Sequence, residues 1–319
     1  MLKKKKILIT GAAGFIGSNL LRRCLEENAE VYILSIKPAN KWRLENVLSH
    51  VQEHCVNLLD LDLLEKTVAS ISPEIIFHMA AYGVYSSQKD VKKIIETNLL
   101  GTINLVNICK KTGFELFVNT GSVFEYGIKN SPLKESDMLE PISDYGISKA
   151  AATLYCQAVA KKENRPVVTL RLFTPYGYYE EPPRLVPSVI LSCLNGENPK
   201  LSSPGSMRDF IFIEDVVDAY IKAAENVRKV SGEILNIGSG KQCSVGEVVN
   251  TILRSSGNSV IPRWDSFSDN RIESKMLEAN ILKAERMLNW RPNYSLEQGL
   301  EKSVKWFKEN IGLYKKHKV

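Results

Sequence analysis

Short apolar runs and longer amphipathic stretches alternate along the first half of the chain. Residues 6–10 (KILIT) have the length and composition of a buried strand, a glycine-rich turn follows, and residues 15–28 place apolar side chains at helical spacing. Strand-like runs recur at 31–36, 74–79, 116–120 and 167–172, and helical patterns at 91–112 and 144–162. Regular alternation of this kind predicts an α/β fold, a doubly wound parallel sheet with helices on both faces. After residue 174 the rhythm changes. Residues 176–187 (YGYYEEPPRLVP) read as a proline-rich loop feeding a helix, and 200–209 as another loop. Residues 209–225 and 233–237 return to strand and helix, and 243–312 are mostly helical.

The turn after the first strand narrows this picture. The segment TGAAGFIG puts glycines at Gly11, Gly14 and Gly17, between a strand and a helix. Gly11 suits a tight turn, Gly14 lets backbone approach a pyrophosphate, and Gly17 lets helix pack on strand. The helix start at Phe15 and Ile16 then offers free N–H groups to an anion. The sheet is accordingly read as a Rossmann fold. Residues 1–174 form the dinucleotide-binding lobe, with a return segment at about 209–240. Residues 175–208 and 241–319 form a smaller, interleaved α/β lobe for the substrate.

The end of the second strand speaks to which dinucleotide is bound. A carboxylate there would hold the ribose 2′-hydroxyl of NAD. The chain has Ser35 instead, with Lys37, Lys41 and Arg43 close behind. By charge this favours NADP, NAD remaining possible, with Ser35, Lys37 and Arg43 as contacts. Asn57 and Leu58, after the third strand, are candidates for the adenine end, although Asn57 also suits a turn.

Tyr145 and Lys149 stand four residues apart in a helical stretch, one turn from each other. An ammonium beside a phenol favours the phenolate, so the spacing predicts a lowered Tyr145 pKa. Bringing a phenol from about 10 to about 7 takes roughly 4 kcal/mol. The result is a tyrosine able to move a proton near neutral pH.

Composition bounds the rest. The 319 residues are 44% apolar and 24% charged, ordinary for a globular protein. The net charge of +6 gathers at Lys3–Lys6 and at Lys315, Lys316 and Lys318, which read as solvated ends and give no nucleic-acid or membrane patch. The six cysteines are scattered, without metal-ligand spacing, so no metal is expected and free thiols in a reducing cytoplasm are. No apolar run spans a membrane, and the basic start leads into a strand instead of a signal core.

Taken together, the glycine turn, Tyr145 and Lys149 resemble the extended short-chain dehydrogenase/reductase family, in its nucleotide-sugar epimerase, dehydratase and reductase branch. The resemblance runs almost end to end, through HMAA at 78–81, TNLLGT around Asn98, TGSVFEYG around Ser122, RLFTPYG at 171–177, RDFIFIEDV at 208–216 and NWRPNYSL at 289–296. It implies that Ser122 hydrogen-bonds the reacting oxygen, Tyr145 passes its proton, and Lys149 holds the nicotinamide ribose and tunes Tyr145. It adds Ala80, Ala81 and Asn98 to the cofactor contacts. It implies a nucleotide-diphospho-sugar substrate, with Arg208 on the diphosphate and Arg184, Arg271, Thr174, Tyr82 and Ser122 as further contacts. It also implies a homodimer through helices 91–112 and 144–162, the second offering Ala150, Ala151, Leu154 and Ala158. The branch's dehydratases carry an Asp–Glu pair after the catalytic Ser/Thr; Val123 and Phe124 stand there, and neither moves a proton. The expected function is an NADP-dependent reductase of a 4-keto nucleotide sugar. The alternatives are a 4-epimerase with tightly bound NAD and, in a different class, a non-catalytic dinucleotide-sensing module.

Overall fold

The protein is described by a computed structural model over residues 2–37, 40–266 and 277–317. The chain opens with β1 (Lys6–Thr10), α1 (Phe15–Glu26), β2 (Glu30–Ser35), β3 (Gln52–Cys55), α2 (Leu61–Ile71) and β4 (Ile75–His78). There follow α3 (Val91–Ile95), α4 (Gly101–Thr112), β5 (Leu116–Ser122), α5 (Asp144–Glu163), β6 (Val167–Leu172) and β7 (Thr174–Tyr176). The remainder runs through α6 (Leu185–Asn195), β8 (Met207–Arg208), β9 (Phe210–Phe212), α7 (Ile213–Glu225), α8 (Val227–Val230) and β10 (Ile234–Ile237). It closes with β11 (Cys243–Ser244), α9 (Val245–Ser256), α10 (Leu282–Leu288) and α11 (Leu296–His317).

Seven strands form one parallel sheet in the order β10-β6-β5-β4-β1-β2-β3. Every residue of β4, β5, β6 and β10 is buried, as two covered faces require. One core layer joins Ile7, Ile9 and Ile33 to Leu20 and Leu21 of α1 and Val216 and Tyr220 of α7. The other joins Leu8, Tyr32 and Leu34 to α2 and α4. Strand order reverses between β1 and β4, and a crevice at such a reversal is where an α/β sheet takes its ligand. Outside the main sheet, β7 pairs with β9 and β8 with β11, and α6 packs on α9 and α11. The last helix packs back on the segment after β2, where Tyr314 meets Trp42 at 5.1 Å between ring centres.

Two sequence expectations are refined. The stretch 91–112 is helical throughout, as expected, but not α-helical throughout. A turn of π-helix at Glu96–Leu100 separates α3 from α4, and it carries the fully buried Asn98. Such bulges commonly turn one side chain out of the helical register to serve a site. In α5, Ala150 is buried within the subunit and Ala151 half-buried, whereas Leu154 and Ala158 are exposed, and Ile147, 47% exposed, joins them on the outward apolar face.

Candidate active site

The β1–α1 turn is shaped by close backbone contact. Gly11 has φ +70°, and a Cβ there would sit 2.7 Å from the Ala80 nitrogen. A Cβ at Gly17 would lie 2.3 Å from the Gly11 oxygen, and one at Gly14 would lie 3.1 Å from that same oxygen. The three glycines thus converge on the Gly11 carbonyl, while the outer side of Gly14 stays open and exposed. The N–H groups of Phe15, Ile16 and Gly17 lie in the first helical turn, where no carbonyl within the helix can receive them. This cradle fits a pyrophosphate. Thr10 Oγ1 ties it to the next strand by accepting from the N–H groups of Met79 and Ala80, both at 3.2 Å. Ala81 lies beyond, exposed.

At the other end of the crevice, Ser122 closes β5 and caps a short 3-10 turn. Its Oγ accepts the Phe124 N–H at 3.3 Å, which leaves the hydroxyl proton to be donated elsewhere. Tyr145 and Lys149 come from the first turns of α5, whose start is fixed by Ser143 Oγ accepting the Gly146 N–H at 3.1 Å. The structure places the Ser122 side chain against the Tyr145 phenol. It also corrects the expected acidity. Burial pushes Tyr145 up to about 12; Ser122 draws it down, Glu125 adds to the rise, and Arg184 opposes it. Burial acts on the lysine as well. It is pushed down to about 8, with Glu125 holding it up. The protein's own groups therefore leave the phenol protonated, and lowering it requires a further positive charge.

Beneath these groups lies a buried polar chain. Glu125 Oε1 accepts the Ser122 N–H at 2.8 Å and the Thr153 hydroxyl at 3.0 Å, and Arg171 Nε donates to Oε2 at 2.7 Å. Arg171 continues to Tyr126 Oη at 3.0 Å, and Tyr126 to Asn236 Oδ1 at 2.6 Å. Glu125 thus points away from the crevice and serves as a positioning residue. Its sequence signal was the Ser-x-x-Glu spacing of a capping box.

Asn98 was expected at the cofactor. Its amide instead donates to Tyr82 O at 2.8 Å and Ser148 Oγ at 2.9 Å, and its Oδ1 accepts the Tyr82 N–H at 2.8 Å. Its hydrogen-bonding groups are committed to tying the loop at Tyr82 to α5. Arg43 is likewise unsuited to a 2′-phosphate. It is buried, donating from Nε to Tyr179 O at 2.7 Å and from Nη1 to Ala13 O at 3.1 Å, with Nη2 2.7 Å from Glu181 Oε1. Asn57 closes a turn, its Oδ1 accepting the Leu59 N–H at 3.0 Å, and Leu58 packs under Gly101. The corner at Ser35 does hold a carboxylate, contrary to expectation. Glu53 of β3 accepts the Ser35 hydroxyl and pairs with Lys41, while Lys37 is exposed. Sequence reading missed it because Glu53 lies 18 residues away and arrives by strand pairing.

Of the substrate-side candidates, Tyr82 is half-buried with Lys93 Nζ 4.5 Å from its ring centre. Thr174 opens β7, and its N–H bonds to Asp209 O at 3.0 Å. Arg184 precedes α6, 3.4 Å from Glu180, and its charge reaches Tyr145. Arg208, on β8, donates to Met207 O at 2.7 Å. Arg271 lies outside the described residues.

A seven-stranded parallel sheet with a glycine cradle at its reversal and a Ser, Tyr and Lys at its edge is the architecture of the extended short-chain dehydrogenase/reductases. The chain belongs to the NAD dependent epimerase/dehydratase family, whose model matches residues 7–238. A UDP-glucuronate 4-epimerase of Thermodesulfobacterium geofontis is 27% identical, covering 98% of this chain and 99% of its own. The crystal structure of UDP-glucuronic acid 4-epimerase from Bacillus cereus, in complex with UDP-glucuronic acid and NAD, is similar with a TM-score of 0.85. The two are 28% identical over 95% of this chain and 99% of the other. dTDP-glucose 4,6-dehydratase from Bacillus anthracis, in complex with NAD, gives a TM-score of 0.87 at 26% identity, over 97% and 98% of the two chains. The protein is thus an enzyme of the epimerase and dehydratase branch, whose named relatives act on nucleotide sugars. These relatives lend no support to the sensing module or to the reductase. Among the described residues, no helix is long and apolar enough to cross a membrane.

Proposed function

We propose that the protein is an NAD-dependent 4-epimerase of a nucleotide-diphospho-sugar. The observation that carries this reading is the proton chemistry of the crevice. Ser122 lies against Tyr145 and Lys149 follows four residues on in the same helix, while the two positions after Ser122 hold Val123 and Phe124. Expelling water from the sugar needs a second acid and base, and these side chains supply none. The carboxylate of Glu53 beside Ser35 supports NAD over NADP, and the 4-epimerases among the relatives agree with both points.

The bound dinucleotide supplies a hydride acceptor and donor, and the positive charge of its oxidised ring. The phosphate cradle at Gly11, Gly14 and Gly17 would fix its pyrophosphate, and Lys149 its nicotinamide ribose. Ser122 donates a hydrogen bond to the sugar O4. Tyr145 takes the O4 proton as the C4 hydrogen leaves with its electron pair, then returns a proton when that pair comes back on the opposite face of the sugar. Atoms and electrons are conserved over the cycle, so no added reductant is consumed. Lys149, with a pKa of about 8, stays mostly cationic at neutral pH, and the positive charge of the oxidised ring would draw the phenol down. Residues 175–208 and 241–319 form the proposed substrate lobe, with Arg208 on the diphosphate and Tyr82, Thr174 and Arg184 near the sugar.

The test is a panel of UDP- and dTDP-sugars assayed without added dinucleotide, with mass spectrometry of what copurifies. Epimerisation with copurified NAD is expected, and Tyr145→Phe is expected to lower kcat by about 10³-fold while the dinucleotide stays bound. Consumption of one NADPH per product would instead establish the reductase. We also propose a homodimer, because Ile147 and Leu154 on α5 and Val91 and Leu100 at α3 and the π turn are exposed apolar residues. Sedimentation as a monomer at micromolar concentration would exclude it.

A further inference from the structure

Dinucleotide-binding sheets ordinarily select the adenosine ribose with a carboxylate at the end of the second strand. This chain has Ser35 at that position, and the charge needed for selection reaches the same place from the neighbouring strand. Glu53 of β3 and Ser35 of β2 point to the same face of the sheet, since Glu53 is in register with Ile33, two residues before Ser35. Ser35 Oγ donates to Glu53 Oε1 at 2.5 Å, and Lys41 Nζ lies 2.5 Å from that same oxygen. The second oxygen, Oε2, accepts no hydrogen bond among the described residues.

We propose that Glu53, held by Ser35 and Lys41, is the residue that selects NAD over NADP in this chain. The inference rests on the reading of the protein as a dinucleotide-dependent enzyme and deepens it. Lys41, followed by Ser35, holds the Glu53 carboxyl below the ordinary range, so the group is ionised at neutral pH. A ribose 2′-hydroxyl can donate to such a carboxylate; a 2′-phosphate has no proton to offer and meets a like charge. The cations nearby do not reverse this. Arg43 is committed to Ala13, Tyr179 and Glu181, and Lys41 is already paired with Glu53. Lys37 remains as an exposed charge, screened by solvent. The pair Ser35 and Glu53 thus does jointly what one acidic side chain on β2 would do alone.

The test is a competition read by mass spectrometry. Full-length protein is incubated with equimolar NAD and NADP, desalted, and its bound dinucleotides are counted. The unaltered protein is expected to retain mainly NAD. Glu53→Gln, which keeps the shape and removes the charge, frees Lys41 for a phosphate and is expected to lower the NAD to NADP ratio at least tenfold. Lys41→Met leaves Glu53 without its cation and is expected to raise the ratio. A fall of less than threefold in Glu53→Gln, an unchanged or lower ratio in Lys41→Met, or a preference of the unaltered protein for NADP would overturn the inference. If neither dinucleotide were retained by the unaltered protein, the enzymatic reading itself would fail. Retained NAD with an unmoved ratio would remove only the role of Glu53.

Discussion

The two ends of the crevice are built by different means. The phosphate cradle is one continuous segment, and backbone contact around the Gly11 carbonyl sets its shape; the guanidinium of Arg43 touches it only from outside, at Ala13 O. The catalytic edge joins β5 and α5, and buried charges hold it. Glu125 alone touches Ser122, Thr153 and Arg171, and the chain of contacts runs on through Tyr126 to Asn236 on the far strand of the sheet. A site made of backbone is intolerant of added volume and indifferent to charge. A site made of buried ions should show the opposite. Volume and charge substitutions can therefore be used to break the comparison.

The largest effect is expected at the cradle. Gly17→Ala adds one carbon 2.3 Å from Gly11 O, 2.8 Å from Ala12 Cα and 2.9 Å from Gly11 C, all backbone atoms that cannot rotate away. α1 must shift outward, which should cost about 3 kcal/mol or more and remove the pyrophosphate site. Denaturant unfolding and NADH fluorescence titration read the two losses. A variant of native stability that still binds NADH would show that the turn is not sterically defined.

The contrast also explains what the sequence disclosed. The cradle was legible because its three glycines lie within seven residues and each answers a local backbone need. Tyr145 and Lys149 were legible as a helical pair, but their acidity was not. Spacing says that they are neighbours, whereas burial, which dominates both shifts, depends on what α5 packs against. Arg43 and Asn98 show the same limit. Sequence gave their chemistry, and the fold then engaged it with Ala13, Tyr179 and Glu181 in one case and with Tyr82 and Ser148 in the other. Glu53 is the converse case, a side chain assigned to no role until parallel pairing of β2 and β3 set it against Ser35. The π turn at Glu96–Leu100 has no local signal such as proline, and it coincides with Asn98 reaching its buried partners.

Glu125→Gln tests the charged end at nearly constant volume. Glu125 and Arg171 are 0% and 1% exposed, and removing one partner strands the guanidinium in the core at a cost of about 3 kcal/mol. The smaller and more specific effect lies in the pH profile of turnover. Glu125 raises the pKa of Lys149 and also that of Tyr145, so loss of its negative charge lowers both. Activity requires Tyr145 able to take a proton, which fails on the acid side, and Lys149 cationic, which fails on the alkaline side. Both limits should therefore move to lower pH in Glu125→Gln, by about one unit or less for a single buried charge. A purely structural role would lower the amount of active enzyme and leave both limits in place. An unmoved profile, measured as kcat against pH on folded protein below its melting temperature, would reduce Glu125 to scaffold and end the claim that the catalytic edge is governed by charge.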